Sequence, residues 1–302
     1  MRIVYSSDVN SSPANVALQK DLRSVSEKEL KDIVDEIAIP RHFEFNSKNN
    51  KFVAERIFSR FAALGYETYF QGNYSNIVAL NPDTVSRPQI LIGAHYDSVP
   101  NCPGADDNAS AIASLIVCAK MISKFAAHIP VCFVAFNCEE DGFIGSRDFV
   151  SKHLPETKLK IEEAHILEMI GYATEEPNTQ KAPPGLPVKI PSVGNFLGIL
   201  GNQRSNYLVD NVLASGKSYI PELPVIGLKL YLGLENLLPD FGRSDHVPFW
   251  EKRIPALMWT DTANFRNPNY HKFTDTPDTL NYSFLRKVTQ LLLFQIMNKV
   301  DI

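Results

Sequence analysis

The chain has 302 residues, of which 44% are hydrophobic and 21% charged, and its formal net charge at pH 7 is −4. This composition is typical of a globular protein with one large domain or two small ones. It lacks the basic balance of a nucleic-acid-binding chain, and no apolar run approaches the ~20 residues of a membrane-spanning helix, so we predict neither partner.

The N-terminal stretch MRIVYSSDVNSSPANV has no apolar core of the kind found in secretory signals. It favours a cytoplasmic location, and removal of a signal would leave a secreted or periplasmic protein as the alternative. The four cysteines form no C-x-x-C pair, which argues against a thiolate zinc site. Cys118 and Cys132 lie within apolar runs, and we expect both to be core residues of a protein from a reducing compartment.

Residues from about 15 to 65 are predicted to be helical. In SEKELKDIVDEI, Ser26 precedes Glu29 by three positions, the spacing of a capping box at a helix N-terminus. The segment NNKFVAERIFSRFAALG has apolar residues at helical spacing, and Gly65 predicts where that helix ends.

After residue 65 the apolar pattern changes to short β-branched runs. Strands are predicted at YETYF, NIVALN, QILIGAHYDS, VCFVAFNCEE, HILEMIGY, LKLYLG and PALMWTD. Helical stretches separate them, the clearest at residues 108–126. Apolar strands alternating with helices indicate an α/β fold, a three-layer α/β/α sandwich around a central mixed, mostly parallel sheet. Such sheets bind ligands beyond the carboxyl ends of their strands.

A proline-rich stretch, TEEPNTQKAPPGLPVKIPS (174–192), interrupts this alternation. It is either an irregular surface loop or a wall of a substrate pocket at that edge of the sheet. The apolar segments NFLGILG and GLENLLPDFG leave a similar choice, between a pocket for a substrate side chain and ordinary core.

Polar side chains recur where the predicted strands end or shortly afterwards. They are His95, Asp97, Asp106, Asp107, Glu139, Glu140, Glu168 and His271. Carboxylates and imidazoles together suit Zn²⁺, Mn²⁺ or Co²⁺. Burying several carboxylates without a cation is costly, because like charges repel and each loses its hydration. Two divalent ions ~3.5–4 Å apart would offset that cost.

Glu139 and Glu140 are adjacent, and neighbours in an extended segment point to opposite sides. One carboxylate of the pair can therefore bind metal while the other serves as a general base. The alternative for an isolated Glu-Glu-Asp sequence is a solvated turn. Four further histidines carry no assignment, because a lone histidine is more often a surface or core residue: His42, His128, His153 and His165.

The ordered combination resembles the M28 family of metallo-aminopeptidases. The matching segments are GAHYDSV, PGADDNAS, FNCEEDGFIGSRDF, LEMIGY, RSDHVPF and RNPNYHKFTDTPDTLNY. The resemblance implies a phosphorylase/hydrolase-like zinc exopeptidase. It also implies one catalytic domain over residues 1–302, with a helical segment at about 15–65 and a metal-site core at about 89–282.

The resemblance implies five ligands for two zinc ions: His95, Asp107, Glu140, Glu168 and His271. Asp107 would bridge the ions, with His95 and Glu168 on one of them. Glu140 and His271 would complete the other. Glu168 departs from the aspartate more usual in the family, and its extra methylene shifts the carboxylate.

Other roles are implied in the same way. Asp97 would orient the His95 imidazole, and Glu139 would be the general base. Asp106 would be a neighbour of the site, with capping of the following helix as its alternative role. Ala111 replaces a frequent glycine at that helix, which we expect to be harmless.

The motif around the last ligand suggests further residues. Tyr270 would donate a hydrogen bond to the developing oxyanion, with a packing aromatic as the alternative. Asp245 and His246 are tentative substrate-binding or ligand-supporting residues, and Arg243 is a weaker candidate.

Three functions are compared. The favoured one is an aminopeptidase acting on peptides with a free N-terminus, whose α-amino group Glu168 could hold. A glutaminyl cyclase, a single-zinc acyltransferase of related fold, is the first alternative, and a non-catalytic binding protein is the second. The preferred N-terminal residue and the oligomeric state are not predicted.

Overall fold

The computed structural model describes residues 1–10, 16–184 and 189–298. The strands within these ranges are β1 (Arg2–Tyr5), β2 (Glu67–Gln71), β3 (Asn76–Leu80), β4 (Gln89–His95), β5 (Val131–Phe136), β6 (Ile161–Glu168), β7 (Leu197–Gly201), β8 (Val225–Lys229) and β9 (Ala256–Thr260). The α-helices there are α1 (Val16–Leu22), α2 (Glu27–Ile37), α3 (Ser47–Ala63), α4 (Ala111–Phe125), α5 (Ile144–Asp148), α6 (Leu154–Thr157), α7 (Asn206–Tyr219), α8 (Val247–Glu251) and α9 (Tyr282–Met297).

All nine described strands form one mixed sheet in the order β1-β8-β7-β9-β6-β4-β5-β3-β2. The central strands β9, β6, β4 and β5 are parallel, as predicted. Within the described sheet, however, four of the eight pairings are antiparallel, so parallel pairings do not predominate as expected. One reason is the short turn between β2 and β3, which permits only an antiparallel hairpin.

The sheet is buried on both faces, which confirms the three-layer α/β/α architecture. Along β5, Val131, Phe133 and Ala135 pack into the apolar cluster that contains α4 and α9. The alternate residues Cys132, Val134 and Phe136 pack into a second cluster with Phe149 and Phe249. Side chains on a strand alternate between its faces, so this pattern places helices above and below the sheet. Cys118 and Cys132 are fully buried, as predicted.

The predicted helix ends are confirmed. The Ser26 hydroxyl accepts a hydrogen bond from the Glu29 backbone N–H at the start of α2. Helix α3 ends at Ala63, and Gly65 follows with a φ of +88°, a conformation that costs glycine little. Helix α4 lies within the predicted range 108–126, and its first residue, Ala111, is buried without distortion.

The sequence predictions were least accurate at the far side of the sheet. Strand β1 was not predicted, β7 lies inside NFLGILG, and β8 begins three residues before LKLYLG. All three strands are short, and glycines in β7 and β8 obscure the apolar signal. A Cβ on Gly227 would come within 2.5 Å of the Val209 side chain, so the glycine lets α7 pack directly on the sheet.

One helical stretch, Ala105–Phe125, is long and apolar enough to span a membrane, but 78% of its 18-residue apolar window is buried in the fold. It is therefore a core helix that packs against α2, α9 and the sheet. The expectation that no stretch approaches membrane-spanning length is wrong by this measure.

Candidate metal centre

The central parallel strands end at one edge of the sheet and deliver the predicted polar residues there. His95, the last residue of β4, pairs with Phe136, the last residue of β5. Glu168, the last residue of β6, pairs with Thr260 at the end of β9. Because parallel strands terminate on the same side, the loops that follow them share one crevice.

Two histidine–carboxylate groups meet in this crevice. His95 Nε2 lies 3.3 Å from Asp107 Oδ1 and 3.4 Å from Glu168 Oε2. His271 Nε2 lies 3.2 Å from Asp107 Oδ2 and 3.3 Å from Glu140 Oε2. Asp107 thus presents one oxygen to each histidine, the arrangement that a bridging ligand requires.

These spacings fit divalent metal ions. Ligand atoms at the corners of a tetrahedron ~2.0–2.1 Å from a zinc ion are roughly 3.3–3.4 Å apart. Both ring nitrogens of His95 are buried and lack a hydrogen-bond partner among the described residues. Candidate ligand atoms of His95, Asp107 and Glu140 also lie within 4.8 Å of one another. Buried unsatisfied nitrogens beside carboxylate oxygens are donors suited to a shared cation.

The electrostatics of the cluster point the same way. Burial raises the pKa of Glu140 to about 7, and the charge of Asp107 adds to that effect. Burial would lower the pKa of His271, but hydrogen bonds to Asp107 and Glu140 raise it to about 10. Burial opposes charge on His95 as well, yet the nearby carboxylates, led by Glu168, hold its pKa well above the usual value. Without a cation, the cluster therefore retains protons in place of positive metal charge.

Glu139 and Glu140 are directed to different parts of the cluster. Glu140 Oε1 accepts a hydrogen bond from the Val99 backbone N–H, and its Oε2 faces His271. Glu139 Oε2 lies 4.0 Å from His95 Nε2. Burial raises the pKa of Glu139 well above its ordinary value, and the charges of Glu168 and Glu140 raise it further. The two carboxylates thus make different contacts, and the pair is not a solvated turn.

Asp97 connects the two halves of this arrangement. Its Oδ1 lies 3.4 Å from His95 Nδ1, which fits the predicted orienting role. The same carboxylate also accepts hydrogen bonds of 3.2 Å from the backbone N–H groups of Glu139 and Glu140. One fully buried aspartate therefore positions residues that follow two different strands.

Glu168 reaches the cluster despite its extra methylene. The Ser244 hydroxyl donates a 2.6 Å hydrogen bond to Glu168 Oε2, the same oxygen that faces His95. Asn108 binds the backbone on either side of Glu168, at Leu167 and Met169. The Ser244 hydroxyl therefore holds the longer side chain at its carboxylate, and Asn108 holds the backbone from which that side chain extends.

Three supporting residues were not assigned from the sequence: Asn108, Ser244 and Asp275. The Asp275 carboxylate accepts hydrogen bonds from the backbone N–H groups of Asp106 and Asp107. Each of the three lies inside a segment that carries the family resemblance. Their location in those segments was the only sign of a role in the sequence. Their hydrogen bonds could not be foreseen, because they join segments that are far apart along the chain.

Asp106 does not cap the following helix. Its carboxylate accepts hydrogen bonds from the Gly171 backbone N–H and from the Asn267 side-chain amide. No side-chain cap hydrogen bond is found at the described start of α4. The capping alternative is therefore wrong, and Asp106 instead ties the metal-site loop to two other loops.

Tyr270 lies at the edge of the cluster with its ring stacked on His271, at a centroid distance of 3.7 Å. Its hydroxyl accepts a 2.9 Å hydrogen bond from Arg243 Nη2. Arg243 is in turn bonded to Asp240 and Asn264. Because the hydroxyl accepts from the guanidinium, its own proton remains available to a substrate group.

Asp245 and His246 are both fully buried. His246 Nε2 lies 2.9 Å from the Phe241 carbonyl oxygen, and the ring packs edge-on against Trp250. Burial lowers the pKa of His246 to about 4, so the ring is neutral. These contacts favour a supporting role for His246 over direct substrate binding, the two roles considered from the sequence. Burial raises the pKa of Asp245 to about 7 beside the cluster, in a position that suits support of the ligands.

The four unassigned histidines make contacts outside the cluster or are exposed. His42 accepts from the Glu44 backbone, His153 bonds Tyr69, His165 bonds Glu163, and His128 is exposed.

An apolar pocket adjoins the cluster, and Glu168, Arg243 and Tyr270 line it. Its remaining lining is mainly apolar and includes Phe196, Ile199, Leu200, Ile226, Leu228, Phe241, Met258 and Phe265. NFLGILG and GLENLLPDFG both contribute, in agreement with a pocket role, although Leu200 and Phe241 are also core residues. The proline-rich stretch contributes Gln180, Pro183 and Ile190, so its described part forms a pocket wall. Residues 185–188 of that stretch lie outside the described residues.

A family model, Peptidase family M28, matches residues 76–216 and 232–295, which is more than half of the chain. The uncharacterised protein YfbL of Escherichia coli is 34% identical over 238 residues, covering 75% of this chain and 72% of YfbL. Aminopeptidase YwaD of Bacillus subtilis is 27% identical over 246 residues, covering 79% of this chain. The match spans 48% of YwaD, about half its length.

Solved structures share the fold. The Legionella pneumophila LapA aminopeptidase superposes with a TM-score of 0.74 at 20% identity, covering 96% of this chain and 76% of LapA. BSAP, a zinc aminopeptidase from Bacillus subtilis, gives 0.56 at 25% identity over 74% of this chain and 49% of BSAP. A Tannerella forsythia glutaminyl cyclase gives 0.66 at 18% identity over 91% of this chain and 99% of its own.

Proposed function

This chain belongs to peptidase family M28, and from that premise we propose that it is a two-zinc aminopeptidase that hydrolyses the N-terminal peptide bond of peptides. The observation that carries the proposal is the pair of histidine–carboxylate groups joined by Asp107. A second metal position needs a second histidine with its own carboxylate, and His271 with Glu140 supplies both.

The residues that would hold the ions are those implied by the family resemblance. His95, Asp107 and Glu168 would form one site, and Asp107, Glu140 and His271 the other. Zinc is the preferred ion because imidazole and carboxylate donors suit it and because a related aminopeptidase is described as a zinc enzyme. When bound, such a pair of ions lowers the pKa of a water toward neutrality and polarises a peptide carbonyl.

Glu139 is the proposed general base. Glu139 is almost fully buried, and its carboxylate lies 4.0 Å from His95 Nε2. The neighbouring Glu140 is the proposed metal ligand, which leaves the Glu139 carboxylate free to accept a proton. Its carboxylate accepts a proton from the attacking water and passes it to the leaving amine. The Tyr270 hydroxyl donates a hydrogen bond to the carbonyl oxygen as negative charge develops there, while Arg243 holds the tyrosine oxygen in place.

Selection of the substrate N-terminus is proposed to involve two adjoining features. Glu168 lines both the cluster and the apolar pocket, so its carboxylate can lie near a free α-amino group. The pocket beyond it is mainly apolar, which favours large apolar side chains on the first residue. A peptide with a free amine and a leucine or phenylalanine first is therefore the expected substrate.

The test measures metal content together with hydrolysis of leucyl and other aminoacyl p-nitroanilides before and after chelation. We expect about two zinc ions per chain and hydrolysis that chelation abolishes and zinc restores. An N-acetyl-leucyl substrate is the matched control, and it should resist cleavage because it lacks the free amine. No hydrolysis by the zinc-loaded protein would refute the aminopeptidase proposal.

The glutaminyl cyclase alternative shares the fold but is less well supported by the residues. It would need one zinc ion, whereas each histidine of this cluster has a carboxylate of its own beside the shared Asp107. About one metal per chain, with pyroglutamyl product from an N-terminal glutamine peptide, would favour the cyclase. A binding protein without catalysis is less consistent with Glu139 and five ligand residues all present. The cytoplasmic location remains a prediction that cell fractionation would test.

A further inference from the structure

Arg41, in the segment between α2 and α3, is a fully buried cation that is bonded to backbone carbonyls. Its Nε donates to the carbonyl oxygen of Tyr96 at 2.6 Å. Its Nη2 donates to the carbonyl oxygen of Gly104 at 2.8 Å, and its Nη1 donates to those of Pro103 and Ile39. One guanidinium therefore binds four carbonyls, three of them in the same loop.

That loop connects two of the metal-ligand positions. Tyr96 directly follows His95, and Gly104 precedes Asp107 by three residues. Arg41 thus binds the loop at both of its ends and closes it. The distance between His95 Nε2 and Asp107 Oδ1, 3.3 Å, depends on how far apart these ends are held. The Arg41 backbone N–H adds a bond to Ser98 within the loop.

The loop backbone is shaped closely around the guanidinium. Gly104 has a φ of +60°, and a Cβ there would lie 3.1 Å from Arg41 Nη1. The same Cβ would lie 2.2 Å from the Asp107 carbonyl oxygen. The absence of a side chain at Gly104 therefore lets its backbone lie close to both the Arg41 guanidinium and the Asp107 backbone. A change in the position of any one of these groups would displace the other two.

The charge of Arg41 also complements the site. Burial lowers its pKa, but the carboxylates of Asp107, Asp97 and Asp275 act in the opposite direction and favour the charged form. A lysine at this position would supply one charge but could not reproduce the planar set of donors that binds several carbonyls at once.

On the basis of the proposed metal-dependent function, we propose that Arg41 is a positioning residue that sets the spacing of His95 and Asp107 and thereby the zinc affinity of the chain. Arg41 touches neither metal nor substrate. It acts through the loop of residues 96–104, so its loss changes metal binding rather than the chemical step.

The experiment compares Arg41→Lys and Arg41→Met with the unaltered protein. The zinc dissociation constant is measured on metal-free protein by competition with a chelating dye, and circular dichroism checks folding. Both variants should bind zinc at least about tenfold more weakly, the usual scale for residues that orient metal ligands. Activity should return at saturating zinc with an unchanged KM, which a general structural defect would not produce.

Val53→Ala is the matched control. Val53 is fully buried in the apolar core on α3, and its aliphatic side chain cannot hydrogen-bond the loop of residues 96–104, so its truncation tests the effect of lowered stability. We expect zinc affinity close to that of the unaltered protein in this variant. An equal loss of affinity in Val53→Ala would assign the Arg41 effect to stability and would overturn the proposal.

Other outcomes are equally decisive. Zinc affinity within about threefold of the unaltered protein in folded Arg41→Lys would overturn the spacing role, because lysine lacks the donor set. If neither Arg41 variant folds, Ser98→Ala is the substitute. It removes the hydroxyl that accepts from the Arg41 backbone N–H and donates to the Cys102 carbonyl oxygen, and so it loosens the same loop. It should weaken zinc binding by about threefold or more, and unchanged affinity would refute the proposal. Failure of the unaltered protein to bind zinc would instead refute the proposed function itself.

Discussion

Adjacent acidic residues acquire different roles here through their individual contacts. Glu140 has one oxygen toward His271 and the other bonded to the Val99 backbone, so its carboxylate is committed on both sides. Glu139 is buried beside His95 and keeps its carboxylate directed at the cluster. Asp97 binds the backbone N–H groups of both glutamates and so fixes this division. The different contacts of the two carboxylates after β5, rather than their residue type, therefore support the proposed division into a base and a ligand.

The general base is tested by Glu139→Gln, which keeps the size of the side chain and removes its basicity. We expect kcat to fall by roughly 10²–10⁴-fold, with zinc content unchanged. Kinetics on leucyl p-nitroanilide and metal analysis of the same sample provide the two readings. Glu162→Gln, at an exposed position of β6, is the control and should be fully active. Normal turnover in Glu139→Gln would contradict the assignment.

The oxyanion role of Tyr270 is tested by Tyr270→Phe, which keeps the ring stacked on His271 and removes the hydroxyl. Loss of one donor to a developing oxyanion should reduce kcat by about 10²-fold and leave KM little changed. Tyr207→Phe, at a half-exposed position of α7, is the matched control. A packing aromatic would tolerate the change, so an unaltered kcat would support that alternative.

At the scale of elements, one half of the sheet ends at the metal cluster and the other half lines the apolar pocket. Strands β4 and β6 end in the proposed ligands His95 and Glu168, and β5 ends shortly before the glutamate pair. The far half of the sheet supplies the pocket floor, because β7, β8 and β9 present one face beside Glu168. Gly198 on β7 faces Thr260 on β9, directly along the row that starts at Glu168. Because Gly198 has no side chain, the pocket stays open from Glu168 on β6, past β9, to β7.

Gly198→Val should therefore shorten the pocket. A Cβ at this position would lie 3.2 Å from the Thr260 carbonyl oxygen, so only a small adjustment is needed to accept it. We expect kcat/KM for leucyl and phenylalanyl substrates to fall by about tenfold or more, while alanyl substrates are little affected. The ratio of the two values is the measurement, and the alanyl substrate is the internal control. An unchanged ratio would show that the first side chain binds elsewhere.

For the whole molecule, metal binding is coupled to stability because the cluster concentrates buried carboxylates. Zinc should raise the midpoint of thermal unfolding, because it binds the folded protein. At a free zinc concentration one hundred times the dissociation constant, it adds about 2.7 kcal/mol to the free energy of unfolding. Chelation should reverse the effect. Thermal scans with and without zinc provide the test, and magnesium is the control because these imidazole donors suit it poorly.

The pH dependence of the metal-free protein follows from the same cluster. The pKa of Glu140 in the folded protein is raised to about 7. Glu140 therefore adds to the free energy of unfolding at low pH, and this addition is lost as pH rises from about 4.5 to 7. The folded pKa of His271 is raised to about 10, so its contribution is lost as pH rises from about 6.5 to 10.

Both groups therefore make the metal-free fold less stable at pH 9 than at pH 5.5. Zinc displaces the protons that the cluster holds, so zinc should raise the unfolding midpoint more at pH 8.5 than at pH 6. Thermal scans at the two pH values decide this. A larger effect of zinc at pH 6 would contradict the assignment of these residues as ligands.

The sequence by itself indicated the peptidase family of this protein and much of the order of its elements along the chain. Ser26, Gly65 and the apolar runs of β4 and β5 specify local structure, because caps and strand periodicity depend on neighbouring residues. The proposed ligand set of His95, Asp107, Glu140, Glu168 and His271 was implied by the family resemblance, because each residue lies in a matching motif, and it stays a prediction until metal binding is measured.

Only the tertiary structure decided which groups support that set. The contacts of Arg41 with the loop of residues 96–104, of Asp275 with Asp107, and of Ser244 with Glu168 join segments far apart in sequence. The same holds for His246, which only the fold buries against Trp250. Hydrogen bonds and burial of this kind depend on how the strands are ordered in the sheet, and local sequence patterns carry no record of that order.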